Sequence, residues 1–205
     1  MSNQHAPLDI HVHGEVLMQT SVTAAQVQEA LQPLWSYAGS SSFTEGARSA
    51  YEEEPGLSWD EDSRSLKMCW TVSGDDDFRQ IIEEVCMSLN DLAERGAAIE
   101  VSFYDSDFDD GQVERGDESR DDFLMCFVGP SPAAILQVQR DMMVHDVMHM
   151  MERHFDGSEL GGVVNAIDQL FEQRYKALID ATQWGGPSRG FGGGHGPGRK
   201  PRHLH

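Results

Sequence analysis

The sequence predicts an α+β domain in which strands and helices follow one another as βαββαβ, with an added strand and a C-terminal two-helix hairpin. Three observations carry this. Leu8–Met18 and Ala97–Tyr104 alternate apolar and polar residues with period two, as half-buried strands do. Phe78, Ile81, Ile82, Val85, Leu89 and Leu92 recur at helical spacing. From Pro132 to Trp184 two apolar-striped segments are separated only by Phe155-Asp156-Gly157, as in an antiparallel helical hairpin.

The first strand sets Ile10, Val12, Val16 and Met18 against Asp9, His11, His13 and Glu15. A helix then starts at Thr23, with Gln26 three residues on as a capping-box partner and Val22 placed to staple against Val27. Its stripe of Val27, Leu31, Leu34 and Trp35 ends near Gly39, and Pro33 predicts a kink or break because it lacks a backbone donor. Residues 40–54 read as a loop with room for a short helix. Leu57–Asp60 and Leu66–Val72 form a hairpin across Glu61-Asp62-Ser63-Arg64. Asp75, Asp76 and Asp77 sit where a helix N-terminus favours negative charge, and Gly96 is the expected stop of the helix they open.

The order strand, helix, hairpin, helix, strand resembles the split βαβ pattern of ferredoxin-like sandwiches, an architecture that hosts unrelated functions. Phe123–Val128 adds a buried strand, and Gly129-Pro130-Ser131-Pro132 turns the chain into a helix running to about His154. Asp156, with Glu159 three residues on, opens the last helix.

One folded unit, residues 1–184, is expected: a core over 8–104, an acidic loop over 105–122, and the strand and hairpin over 123–184. Residues 185–205, rich in Gly, Pro, Arg and His, are expected to form a disordered tail. Of the 15 basic residues four lie in the tail, so 11 face all 35 acids in the body, a net of −24. That charge argues against direct binding of nucleic acid by the folded part and for a basic protein surface as partner. No apolar run nears the about 20 residues that span a bilayer, and Met1–Asp9 has no signal-type apolar core, so a cytoplasmic protein without membrane contact is expected. Cys69, Cys86 and Cys126 form no C-x-x-C pair and read as reduced core residues.

Four constellations are candidates for chemistry. On the long helix His145, His149 and Glu152 share a face, the arrangement for a divalent transition metal, although packing of the histidines between helices is the expected reading. His11 and His13 share a strand face with Asp9 and Glu15, where two imidazoles can converge on one ion. Asp105, Asp107, Asp109 and Asp110 alternate before Gly111 as in a calcium loop, but Gly116 stands where a bidentate Glu is needed. In the tail, Ser188-Arg189-Gly190-Phe191 with Arg199, Lys200 and Arg202 resembles fragments of RNA-binding Arg/Gly segments, or folds back on the acidic body.

There is no Gly-rich phosphate loop and no G-x-S-x-G elbow. The favoured expectation is therefore a non-enzymatic interaction or regulatory protein. Asp75, Asp76, Asp77, Asp109 and Asp110, with the tail cations Arg199, Lys200 and Arg202, would contact the partner, with nucleic-acid mimicry as one form of this and self-association through the C-terminal helices as another. The alternative is a metal-dependent enzyme or metal sensor built on His145, His149 and Glu152; beyond a divalent metal no cofactor is expected.

Overall fold

The computed structural model describes residues 8–105 and 122–184. Strand β1 (Leu8–Leu17) is followed by three short helices, α1 (Ala24–Ala30), α2 (Gln32–Tyr37) and α3 (Phe43–Gly46). Then come β2 (Gly56–Asp60), β3 (Ser65–Gly74), α4 (Phe78–Asn90), β4 (Ala97–Asp105), β5 (Asp122–Val128), α5 (Pro132–Met151) and α6 (Gly157–Trp184).

All strands join one antiparallel sheet in the order β2-β3-β1-β4-β5. The α+β class and the C-terminal helices are as expected. The strand order is that of a five-membered sheet and so differs from the four-stranded ferredoxin-like sandwich.

The period-two pattern of β1 decides which face is buried. Ile10, Val12 and Val16 pair with or flank Val72, Trp70, Leu66, Val101 and Phe103, and this face receives α1, α2 and α4. Phe78, Ile82, Val85 and Leu89 of α4 are buried against it, Trp70 is fully enclosed, and its indole N–H donates to the carbonyls of Gly46 and Arg48 at 3.0 Å each.

Local signals explain the helix limits. Thr23 and Gln26 form the expected capping box, with Thr23 N–H donating to Gln26 Oε1 at 3.0 Å. The predicted helix is divided at Leu31, and Pro33 then sits in the first turn of α2, where its missing N–H costs nothing. The stop at Gly96 is corrected: α4 ends at Asn90. Beyond it Gln19 N–H bonds to Leu92 O, Glu94 N–H bonds to Leu17 O, and Met18 and Ala93 form a β-bridge. Cross-chain backbone bonds thus take the place of another helical turn.

The hairpin of α5 and α6 buries little. Among the described residues Leu160 and Ile167 are its buried apolar side chains, while Met150 is 64% and Leu170 62% exposed. Among the described residues no helix is long and apolar enough to cross a membrane. The tail, and the body of the acidic loop, lie outside the described residues.

Candidate functional site

The outer face of the sheet collects polar residues by the same alternation that buries the inner one. On β1 these are His11, His13 and Glu15; on β3 they are Lys67, Cys69 and Thr71, with His11 opposite Thr71 and His13 opposite Cys69. Cys69 is thus not the core residue expected from its apolar neighbours. It is half-buried on the polar face, and Cys86 and Cys126 are the buried thiols.

Residues 47–56 run beside β3 at Thr71, just past the end of the β2–β3 pairing. Ala50 N–H donates to Thr71 O at 2.9 Å and Leu57 N–H to Ala47 O at 2.8 Å. The return into β2 passes through Gly56 at φ +76°, a left-handed conformation in which a β-carbon would also collide with the Ala47 carbonyl oxygen. This path delivers Glu54 to β1 and β3.

Glu54 Oε1 lies 3.2 Å from His11 Nδ1 and accepts the Thr71 hydroxyl at 3.1 Å, while Oε2 accepts the Ser49 hydroxyl. His11 Nδ1 is also 2.9 Å from Thr71 Oγ1. Ser49 Oγ in turn accepts the backbone N–H of Thr71 at 2.9 Å and of Tyr51 at 3.3 Å, so the carboxylate is fixed by the segment that presents it.

A ring nitrogen of His11, a carboxylate oxygen of Glu54 and Sγ of Cys69 all fall within 4.8 Å of one another, and all three residues are half-buried. The more exposed His13 ring lies 6.3 Å from that of His11 and nearly parallel to it. At the rim the Tyr51 hydroxyl donates to Asp9 Oδ2 at 3.0 Å, and this bond with the Asp9 charge raises the tyrosine's pKa.

A second polar surface runs along α4. Asp76, Asp77, Gln80, Glu83 and Glu84 line an open groove with Arg79 and Met87, the last 65% exposed. The Arg79 guanidinium sits 4.4 Å over the Phe103 ring of β4. Asp75 is engaged within the fold, where it accepts the Tyr37 hydroxyl at 3.0 Å and the Asp77 N–H at 3.1 Å.

The other predicted positions are more dispersed. His145 and His149 are exposed, with rings stacked 6.4 Å apart, so they do not pack between α5 and α6 as expected. Glu152 caps the end of α5 and is exposed. The grouping of three donors among the described residues is His11, Glu54 and Cys69, not the helical trio. Asp105 closes β4; Asp107, Asp109, Asp110, Arg199, Lys200 and Arg202 lie outside the described residues.

Sequence reading found His11 and its neighbour His13 but missed Glu54 and Cys69. The parity of β3 carried a signal for Cys69, since Leu66, Met68 and Trp70 occupy the other face. Glu54 carried none, because it comes from a segment without periodicity.

Residues 8–172 match a family of unknown function, DUF6806, and the chain belongs to that family. Neither a curated protein nor a solved structure matches it. The matched span includes the sheet, the His11, Glu54 and Cys69 cluster, the α4 groove and all of α5.

Proposed function

We propose that this member of the family is a non-enzymatic interaction protein that binds a basic protein surface along α4. The observation that carries the reading is the groove lined by Asp76, Asp77, Glu83 and Glu84 around an exposed Met87. Carboxylate pairs at the start of α4 and about two turns further on steer a cationic partner, and the thioether supplies a contact that salt does not screen. Spaced carboxylates of this kind also suit nucleic-acid mimicry, with the partner then a nucleic-acid-binding protein.

A second copy of the chain is the partner that fits the hairpin. Residues 132–184 carry four basic and eight acidic residues, against seven and 27 in residues 1–131. The hairpin is therefore the surface on which two strongly acidic copies repel least, and Met143, Met150, Leu170 and Tyr175 are exposed there. Three free cysteines support a reducing, cytoplasmic setting. We also read β1 to β4 as a ferredoxin-like unit extended by β5 beyond β4; the antiparallel order β2-β3-β1-β4 and the helical segments after β1 and β3 support it.

The test compares the full chain with an Asp76→Lys/Glu83→Lys/Glu84→Lys variant in fluorescence-anisotropy titrations of a Lys/Arg-rich model peptide. The wild type should bind at low salt with an affinity that falls as salt rises, and the variant should lose most of that binding. Equal binding by the two proteins would remove the α4 groove from the proposal. Sedimentation of the wild type and of Met150→Glu/Leu170→Glu tests the hairpin separately, a concentration-dependent dimer being expected for the wild type alone.

A further inference from the structure

We infer that His11, Glu54 and Cys69 form a binding site for a zinc-class divalent ion, with His13 as the fourth donor. This goes beyond the interaction reading and does not depend on it.

The donor set selects the ion. An imidazole nitrogen, a carboxylate oxygen and a thiolate are the ligands zinc takes, whereas calcium and magnesium require oxygen throughout. Zinc bonds of about 2.0–2.3 Å in a tetrahedron hold neighbouring donors roughly 3.3–3.8 Å apart. His11 Nδ1 and Glu54 Oε1 already stand at 3.2 Å, and the full group lies within 4.8 Å, so closing on an ion needs side-chain adjustments of about an ångström.

The surroundings have the form of an outer ligand shell. Ser49 and Thr71 each donate a hydroxyl to Glu54, one to each oxygen, and the backbone N–H of Thr71 fixes Ser49. The three residues are half-buried and so not sealed from solvent, with the side chains of His11 and Glu54 24% and 17% exposed. His13 lies directly across from Cys69 in the β1–β3 register, with its ring beside that of His11.

A purely structural role for the same residues would use His11, Glu54, Thr71 and Ser49 to fasten residues 47–56 to the sheet. That role makes no demand on the thiol of Cys69. The thiol is therefore the group on which the two readings part.

The experiment is a Co2+ titration of the full chain, kept reduced with a phosphine, followed by displacement with Zn2+. The expected result is one equivalent of Co2+ giving tetrahedral d–d bands and a thiolate-to-cobalt charge-transfer band, all abolished by one equivalent of Zn2+. Cys69→Ser should lose the charge-transfer band while keeping the metal-free melting temperature. Thr71→Val should retain the band but bind about 10–100-fold more weakly, as loss of an outer-shell partner does. Glu54→Gln supplies a second ligand variant should Cys69→Ser fold poorly, and its Co2+ affinity should fall at least as far as that of Thr71→Val. Absence of a thiolate band in the wild type would overturn the proposal, as would its persistence in Cys69→Ser. Binding through tail histidines alone produces no such band and counts against the site in the same way.

Discussion

Arg140 of α5 is joined to Asp168 of α6 by Nε and Nη2, which lie 2.8 and 2.6 Å from the same carboxylate oxygen. The pair pins the two helices near the middle of α5, between the buried Leu160 and Ile167 and the open end of the hairpin. Arg140 also binds Asp141 through Nη1 at 2.7 Å, and this bond, with help from Gln137, holds the Asp141 carboxyl below its ordinary pKa.

A pH prediction follows from that depression. A carboxyl whose pKa is lower in the folded state adds stability above its unfolded pKa, about 3.9, and loses it as pH falls through the folded value. Arg140→Gln should therefore be less stable than wild type at neutral pH, with the gap narrowing below about pH 4. Carboxyl NMR should show the Asp141 midpoint rising toward the ordinary value in the variant. An unmoved midpoint would mean that the pair is not populated in solution.

Ile82 and Ile81 are adjacent on α4 but meet different surroundings: Ile82 is fully buried, and Ile81 only partly. Ile82→Ala should cost about 2–5 kcal/mol in urea unfolding, the range for a buried large-to-small change. Ile81→Ala should cost distinctly less. Equal losses would place the core of α4 one position away.

Gly56→Ala should destabilise by more than the about 1 kcal/mol attached to an ordinary Gly/Ala exchange, because its φ of +76° is strained for alanine and the new methyl meets the Ala47 carbonyl. Hydrogen exchange should speed up at the Ala50 and Leu57 amides, which tie this segment down. Protection unchanged at both amides would show that residues 47–56 hold their place without this turn.

Alkylation of the native protein should modify Cys69 first, since Cys86 and Cys126 are buried. Cys86 is further protected because its hydrogen bond with Cys126, together with burial, raises its thiol pKa. Peptide mass spectrometry after graded iodoacetamide treatment reads the order directly. Early labelling of Cys86 would contradict the packing of α4 on β5.

Much of the fold was legible because it is written in local patterns. The alternation of β1 named the buried Ile10, Val12 and Val16, and the Thr23 and Gln26 pair marked the start of α1. Pro33 marked a break through its missing donor, and the stripe from Phe78 to Leu89 chose the buried side of α4.

The end of α4 was decided elsewhere. Leu92 fits the stripe, but its carbonyl is taken by Gln19 and the helix stops at Asn90. Sequence alone determined the periodicities, the caps and the concentration of acid, because each depends on neighbours within a turn or two. Only the tertiary structure decided that Glu54, from a segment without periodicity, meets His11 and Cys69. That meeting depends on strand register and on the left-handed turn at Gly56, which bring together residues far apart in the chain.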